Sequence, residues 1–133
     1  MRSKTINPSE LGSPRGYSNG FLVDVTGKLL FIAGQIAWNK EQQIVSDDFV
    51  EQFDRALANV VSVVTEAGGN PTNITRLGIY VTNKAEYRER TKEVGERYRK
   101  HMGKHFPAMV LLEVKSLLDD SAKVEIEGMA VLT

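Results

Sequence analysis

No cysteine occurs anywhere in the 133 residues. That single absence excludes disulfide staples, thiolate metal sites and a cysteine nucleophile. Net charge is missing as well, because 17 Lys and Arg balance 17 Asp and Glu. A duplex-DNA binder carries a basic excess, so that class drops away, and a chain without self-repulsion is mildly disposed to associate. Long apolar runs are also absent. The longest uncharged stretches, Leu29 to Asn39 and Ala56 to Thr65, span 11 and 10 residues, whereas a membrane helix needs about 20. Met1-Arg2-Ser3-Lys4 leads into polar residues without the apolar segment of a signal peptide. The expectation is a soluble, cytoplasmic protein with no membrane partner. Glycine-rich phosphate loops, a G-x-S-x-G elbow and an H-E-x-x-H pair are all lacking. No cofactor and no metal is expected.

What is present is the composition of an ordinary globular domain, 41% hydrophobic and 26% charged. With no repeat, low-complexity tract or linker, residues 1–133 read as a single domain. The first 20 residues are rich in turn formers: Asn7-Pro8, Ser13-Pro14, Gly16 and Asn19-Gly20. Phe21–Val25 and Lys28–Ala33 read as two short strands, and the two-residue Thr26-Gly27 connection suits a hairpin. Then the period changes. Phe49, Phe53, Leu57, Val60, Val64 and Ala67 recur every three or four residues, the stripe of an amphipathic helix. Ser46, Asp47 and Asp48 cap its start and Gly68-Gly69 stops it. Ile74–Thr82 is rich in β-branched residues and reads as a strand. Lys84 to Met102 carries a narrower apolar stripe and reads as a second helix, closed by Gly103. Pro107–Val114 and Ala122–Leu132 complete the order β-β-α-β-α-β-β. Two helices should cover one face of a mixed, mostly antiparallel sheet, an α+β fold. Alternation along the last strand sets Val124, Ile126, Gly128 and Ala130 against Lys123, Glu125, Glu127 and Met129. The second sheet face is therefore either half-solvated or buried against another copy of the chain, and periodicity leaves both open.

Few residues stand out chemically. His101 and His105 are four apart, but Gly103 ends the helix between them and no third ligand is at hand, so structural roles are expected. The charged stretch Arg88 to Lys104 reads as a solvated helix face with pairs such as Glu93/Arg97. Glu125 is the exception. A carboxylate inside the β-branched stretch Val124-Glu125-Ile126-Glu127-Gly128 is either a solvated or paired residue or a buried group prepared for acid/base work. The pattern alone does not choose.

Three stretches carry a resemblance to a known family. Leu29-Leu30-Phe31-Ile32-Ala33-Gly34-Gln35-Ile36 resembles a strand ending in S/A-G-Q. Phe106-Pro107-Ala108 resembles an F-P-A-R segment. Lys123-Val124-Glu125-Ile126-Glu127 with Ala130 resembles a terminal K-[VI]-E-I-E-x-x-A strand. Together with Gly16-Tyr17 and the spacing from Tyr17 to Val131, they make the chain similar to the RidA/YjgF family of enamine/imine deaminases, once called endoribonuclease L-PSP. The resemblance implies a chorismate-mutase-like fold assembled as a homotrimer with a central β-barrel and a small-molecule pocket at each subunit interface. It further implies that Glu125 orients a water, that Gly34 and a backbone amide near Leu111 steady a ligand oxygen, and that Tyr17 closes the pocket.

The chain departs from the family at its most functional position. Met109 stands where the family carries the arginine that binds the substrate carboxylate. Gly95 stands where many members have asparagine, and Ala37-Trp38 replaces the usual proline. Arg15 and Lys115 are nearby cations in sequence, but neither is placed in the pocket by it. Trp38 is read as packing rather than as a pocket wall. The expected activity is hydrolysis of a small imine or enamine, with carboxylated imines used poorly for want of the arginine. The alternative is a trimeric ligand-binding or regulatory protein without chemistry. Cleavage of RNA is the weakest of the three, since balanced charge and the lack of an aromatic-basic surface speak against a nucleic-acid partner.

Overall fold

The computed structural model describes residues 2–133. Two sheets are present. The larger has four strands in the order β3 (Lys28–Gln35), β6 (Val124–Leu132), β4 (Ile74–Val81), β5 (Ala108–Glu113). β6 is antiparallel to both β3 and β4, while β4 and β5 run parallel. The smaller is a two-stranded ribbon of β1 (Ser3–Ile6) and β2 (Gly20–Val23).

The ribbon corrects the expected hairpin. β2 pairs with β1 rather than with β3, and Gly27 turns the chain onto a different sheet. Gly27 adopts φ +123°, and a Cβ there would stand 2.2 Å from the Leu132 carbonyl oxygen. The turn is therefore pressed against the end of β6, which launches β3 along that strand. β1 left no mark in the sequence because all four of its residues are exposed and show no alternation.

Helix α1 (Phe49–Glu66) forms where the stripe predicts it. The Asp48 side chain accepts from the Glu51 amide at its start. Phe49, Phe53, Leu57, Val60 and Val64 are fully buried, each contributing about 1.5–3 kcal/mol. Gln52 is buried with them, and its amide is fully used: it donates to the carbonyls of Ser46 and Ser121 and accepts from the Lys123 amide. This ties the helix to the entry of β6.

The expected second helix is two, so the described residues form three α-helices rather than two. α2 (Lys84–Glu89) and α3 (Thr91–Met102) are broken at Arg90, whose φ of −124° and ψ of 29° leave the helical region. The Arg90 guanidinium pairs with Asp48 at the start of α1 and, at 2.7 Å, with Glu93. A residue drawn between two helices by its ion pairs ends one and opens the next. The pair predicted between Glu93 and Arg97 does not form. Arg97 turns instead to Asp54 on α1, together with Lys100 and His101.

α1 packs on β3 and β6, and α3 packs chiefly on α1. Val94, Tyr98 and Met102 of α3 join the core. The opposite sheet face is uncovered in the single chain: Phe31, 70% exposed, and Leu29 lie on it in β3, with Leu112 in β5. Among the described residues, no helix is long and apolar enough to cross a membrane.

Asp54 is the electrostatic tie between the helices. Burial opposes its ionisation, but hydrogen bonds from His101, Arg97 and Lys100 outweigh that and bring the carboxyl down to about 2. A carboxyl held below its unfolded value of 3.8 stabilises the fold only while it is ionised. Asp54→Asn should lower the unfolding free energy by about 2 kcal/mol at neutral pH, read from urea denaturation. The stabilisation is complete above the unfolded value and disappears as pH falls through about 2, so wild type and variant should converge over that window. A gap that stays constant down to pH about 2 would contradict this assignment.

Candidate functional site

A cavity of about 600 Å³ opens between α3 and the edge strand β5. Parallel strands cannot be joined by a tight turn, and here α2 and α3 supply the crossover from β4 to β5. Because α3 leans on α1, it stands off from β5 and leaves the space. Phe53, Ile79, Val94, Met109 and Leu111 line its interior, and Tyr17, Arg15 and Arg99 also contribute to its walls. Tyr98 lines it too, but its hydroxyl is committed to the His105 carbonyl at 2.6 Å and its ring stacks on Phe106. Burial pushes the Tyr98 hydroxyl well above the usual phenol range. It acts as a wall and not as an acid.

The N-terminal segment reaches this cavity through Ser18. Its hydroxyl donates to the Phe106 carbonyl at 2.6 Å and its amide to the Pro107 carbonyl at 3.2 Å. Phe21 adds an edge-to-face contact with the His105 ring at 5.3 Å. These contacts set Arg15, Gly16 and Tyr17 beside β5. Lys115, the other cation considered, lines a separate cleft with Asp119 and Ser121.

Glu125 and Gly34 form a second group. Between the pairs Ile32–Gly128 and Gln35–Ile126, β3 spends two residues against one of β6, a bulge at Ala33-Gly34. A Cβ on Gly34 would lie 2.1 Å from one Glu125 carboxylate oxygen. Only glycine leaves room for the carboxylate to rest there. Glu127 is differently employed, accepting from the Tyr80 hydroxyl and lying 3.9 Å from Arg76. That hydrogen bond raises the Tyr80 hydroxyl above its ordinary value. Glu125 takes part in no side-chain hydrogen bond or ion pair among the described residues.

The five candidate residues thus fall into two sets. Met109 and Leu111 pair with Leu77 and Ile79 of β4, which face the helices; Glu125 pairs with Tyr80, which faces away from them. Tyr17, Met109 and Leu111 meet at the cavity, and Gly34 and Glu125 meet on the other face of the sheet. Trp38 lies at neither place; it is half-buried in the loop after β3, where its carbonyl accepts from Asn59 of α1. His101 bonds Asp54 and His105 bonds the Ile74 carbonyl, so each has a partner in the packing. Sequence reasoning missed Arg99, the cation that α3 brings to the cavity. Its only signal was the glycine one turn earlier in a charged helix.

A four-stranded sheet with helices on one face, a glycine-backed glutamate on the other and a cavity under its parallel edge defines a small α+β fold. The chain belongs to the family described as Endoribonuclease L-PSP, which matches it over residues 8–132. A RutC family protein of Aquifex aeolicus is 38% identical over 109 residues, 82% of this chain and 84% of that protein. A human protein named 2-iminobutanoate/2-iminopropanoate deaminase is 29% identical over 116 residues, 86% of this chain and 79% of its own. Among solved structures, a protein of unknown function of the Rid family from Yersinia pestis superposes with a TM-score of 0.87 at 29% identity, covering 99% of this chain and 100% of that one.

The seat of Glu125 on Gly34 can be tested by stability alone. Gly34→Ala should cost about 1 kcal/mol, because the carboxylate must swing away from the new methyl group. The same substitution in a Glu125→Ala background should cost nothing, giving a coupling of that size in thermal or urea melts. Additive effects would show that the two residues do not touch.

Proposed function

We propose that this chain is a divergent Rid-type hydrolase of a small imine or enamine, with Glu125 orienting the attacking water. The observation that carries this reading is the Glu125 carboxylate itself. It is seated on a glycine-only bulge and has no partner, while Glu127 two residues away is fully engaged. A carboxylate so left can take the proton of a water as its oxygen attacks the C=N carbon, and return that proton to the nitrogen. The tetrahedral intermediate then expels ammonia and leaves a carbonyl compound. Relatives named 2-iminobutanoate/2-iminopropanoate deaminase support this chemical class.

The site is completed, in this proposal, at the interfaces of a homotrimer. Phe31, Leu29 and Leu112 lie uncovered on the same face as Glu125, and an apolar face of this kind is what association buries. Light scattering should return a mass near three chains. A monomer at micromolar concentration would remove the interface pocket from the proposal.

Met109 shapes the substrate range. Losing an arginine–carboxylate contact costs roughly 2–5 kcal/mol, or about 30- to 5,000-fold. In an assay that generates 2-aminoacrylate, the wild type should fall short of an arginine-bearing relative by a factor in that range. Met109→Arg should recover part of the activity, and Glu125→Gln should lower whatever turnover is found by roughly 100-fold or more. Wild-type turnover equal to that of an arginine-bearing relative would refute the substrate claim, and an unchanged Glu125→Gln would refute the catalytic one.

A second reading, a non-catalytic ligand-binding protein, is favoured by the cavity under β5. Its walls carry no carboxylate and no imidazole among the described residues. RNA cleavage finds no support in a chain of zero net charge.

A further inference from the structure

The cavity between α3 and β5 has an apolar interior and cations at its edge. Phe53, Val94, Met109 and Leu111 supply dispersion and no charge. Arg15 and Arg99 are both solvent-exposed and both contribute to its lining. Neither makes an ion pair among the described residues, and the same holds for Arg2, Arg55 and Arg88; what sets Arg15 and Arg99 apart is that both line the cavity. Two unpaired guanidinium groups against one apolar cavity are not a solvated helix face.

Gly95 shows how the α3 cation comes to be there. It sits inside α3, where glycine costs about 1 kcal/mol relative to alanine. A Cβ at that position would lie 3.2 Å from Arg99 Nη1. Arg99 therefore folds back one turn along its own helix, and its guanidinium rests over the bare backbone of Gly95, which itself lines the cavity. The apolar strand residue Met109 thus shares the cavity with a cation on the helix facing it. Arg15, held beside β5 by the Ser18 contacts, brings a second cation from the N-terminal segment.

We infer that this cavity binds an amphipathic monoanion, with its apolar body against Met109 and Leu111 and its carboxylate at the mouth between Arg15 and Arg99. The volume agrees. About 600 Å³ falls in the range of roughly 300–1,000 Å³ of clefts that enclose a ligand of many heavy atoms, far more than a three- or four-carbon imino acid fills. Arginine suits the position because its planar, weakly hydrated guanidinium lies on apolar surface and still offers paired donors to a carboxylate. The inference deepens the ligand-binding reading of the cavity and does not depend on Glu125.

Calorimetric titration with hydrocinnamate and with its uncharged amide tests it on the full chain. The carboxylate should bind roughly tenfold tighter than the amide, the advantage of a charge-assisted contact, and added salt should shrink that difference. Arg15→Gln and Arg99→Gln should each remove part of the preference. The double variant should abolish it, with the affinity for the amide falling far less than that for the carboxylate. Equal binding of the two probes, binding of neither, or a preference that survives in the double variant would overturn the inference. Loss of imine turnover in Glu125→Gln bears only on the hydrolytic reading, so the two proposals fail separately.

Discussion

The parallel pairing of β4 with β5 is the constraint from which the cavity follows. Parallel neighbours need a crossover long enough to return the chain to its starting end, and α2 and α3 provide it. A crossover helix that lay flat on β5 would close the sheet edge. Here α3 is drawn onto α1 instead, by Val94, Tyr98 and Met102 in the core and by the Asp54 cluster above them. The gap between α3 and β5 is what remains, and the N-terminal segment, clipped to Phe106 and Pro107 by Ser18, borders it.

Charge is distributed with the same economy. Asp54 gathers three cationic or potentially cationic side chains of α3, and Arg90 gathers two carboxylates from α1 and α3. Both groups fix helix positions. Glu127 is absorbed in the same way by Tyr80 and Arg76 on the open sheet face. Glu125 on its glycine seat, and Arg15 and Arg99 at the cavity, make no ion pair among the described residues.

Glu125 and Met109 lie only two strands apart, yet on opposite faces of the sheet. The reason is the side-chain period of two: Leu77 and Ile79 face the helices, Tyr80 does not, and each strand residue inherits the face of its cross-strand partner. A single chain therefore carries a carboxylate on one side and a cavity lined by Arg15 and Arg99 on the other. Phe31, Leu29 and Leu112 lie uncovered on the same face as Glu125.

The sequence by itself determined the long amphipathic helix, the β-branched strands and the family motifs, because each is written in a period or a short string of neighbouring residues. Val124, Ile126, Gly128 and Ala130 are buried as their alternation requires, and the α1 stripe from Phe49 to Val64 lies in the core. Gly34 and Glu125, 91 positions apart in sequence, were both singled out by motif, but their contact was not legible. It arises from a bulge, and a bulge depends on how two distant strands settle their register. The β1–β2 ribbon, the break at Arg90 and the seat of Arg99 over Gly95 were equally beyond the sequence. Gly27 is pressed against Leu132 and Arg90 is held by Asp48, partners on other elements, while Arg99 rests on a glycine whose use its own helix does not announce. Local propensity carries no record of partners that only the folded chain brings within reach.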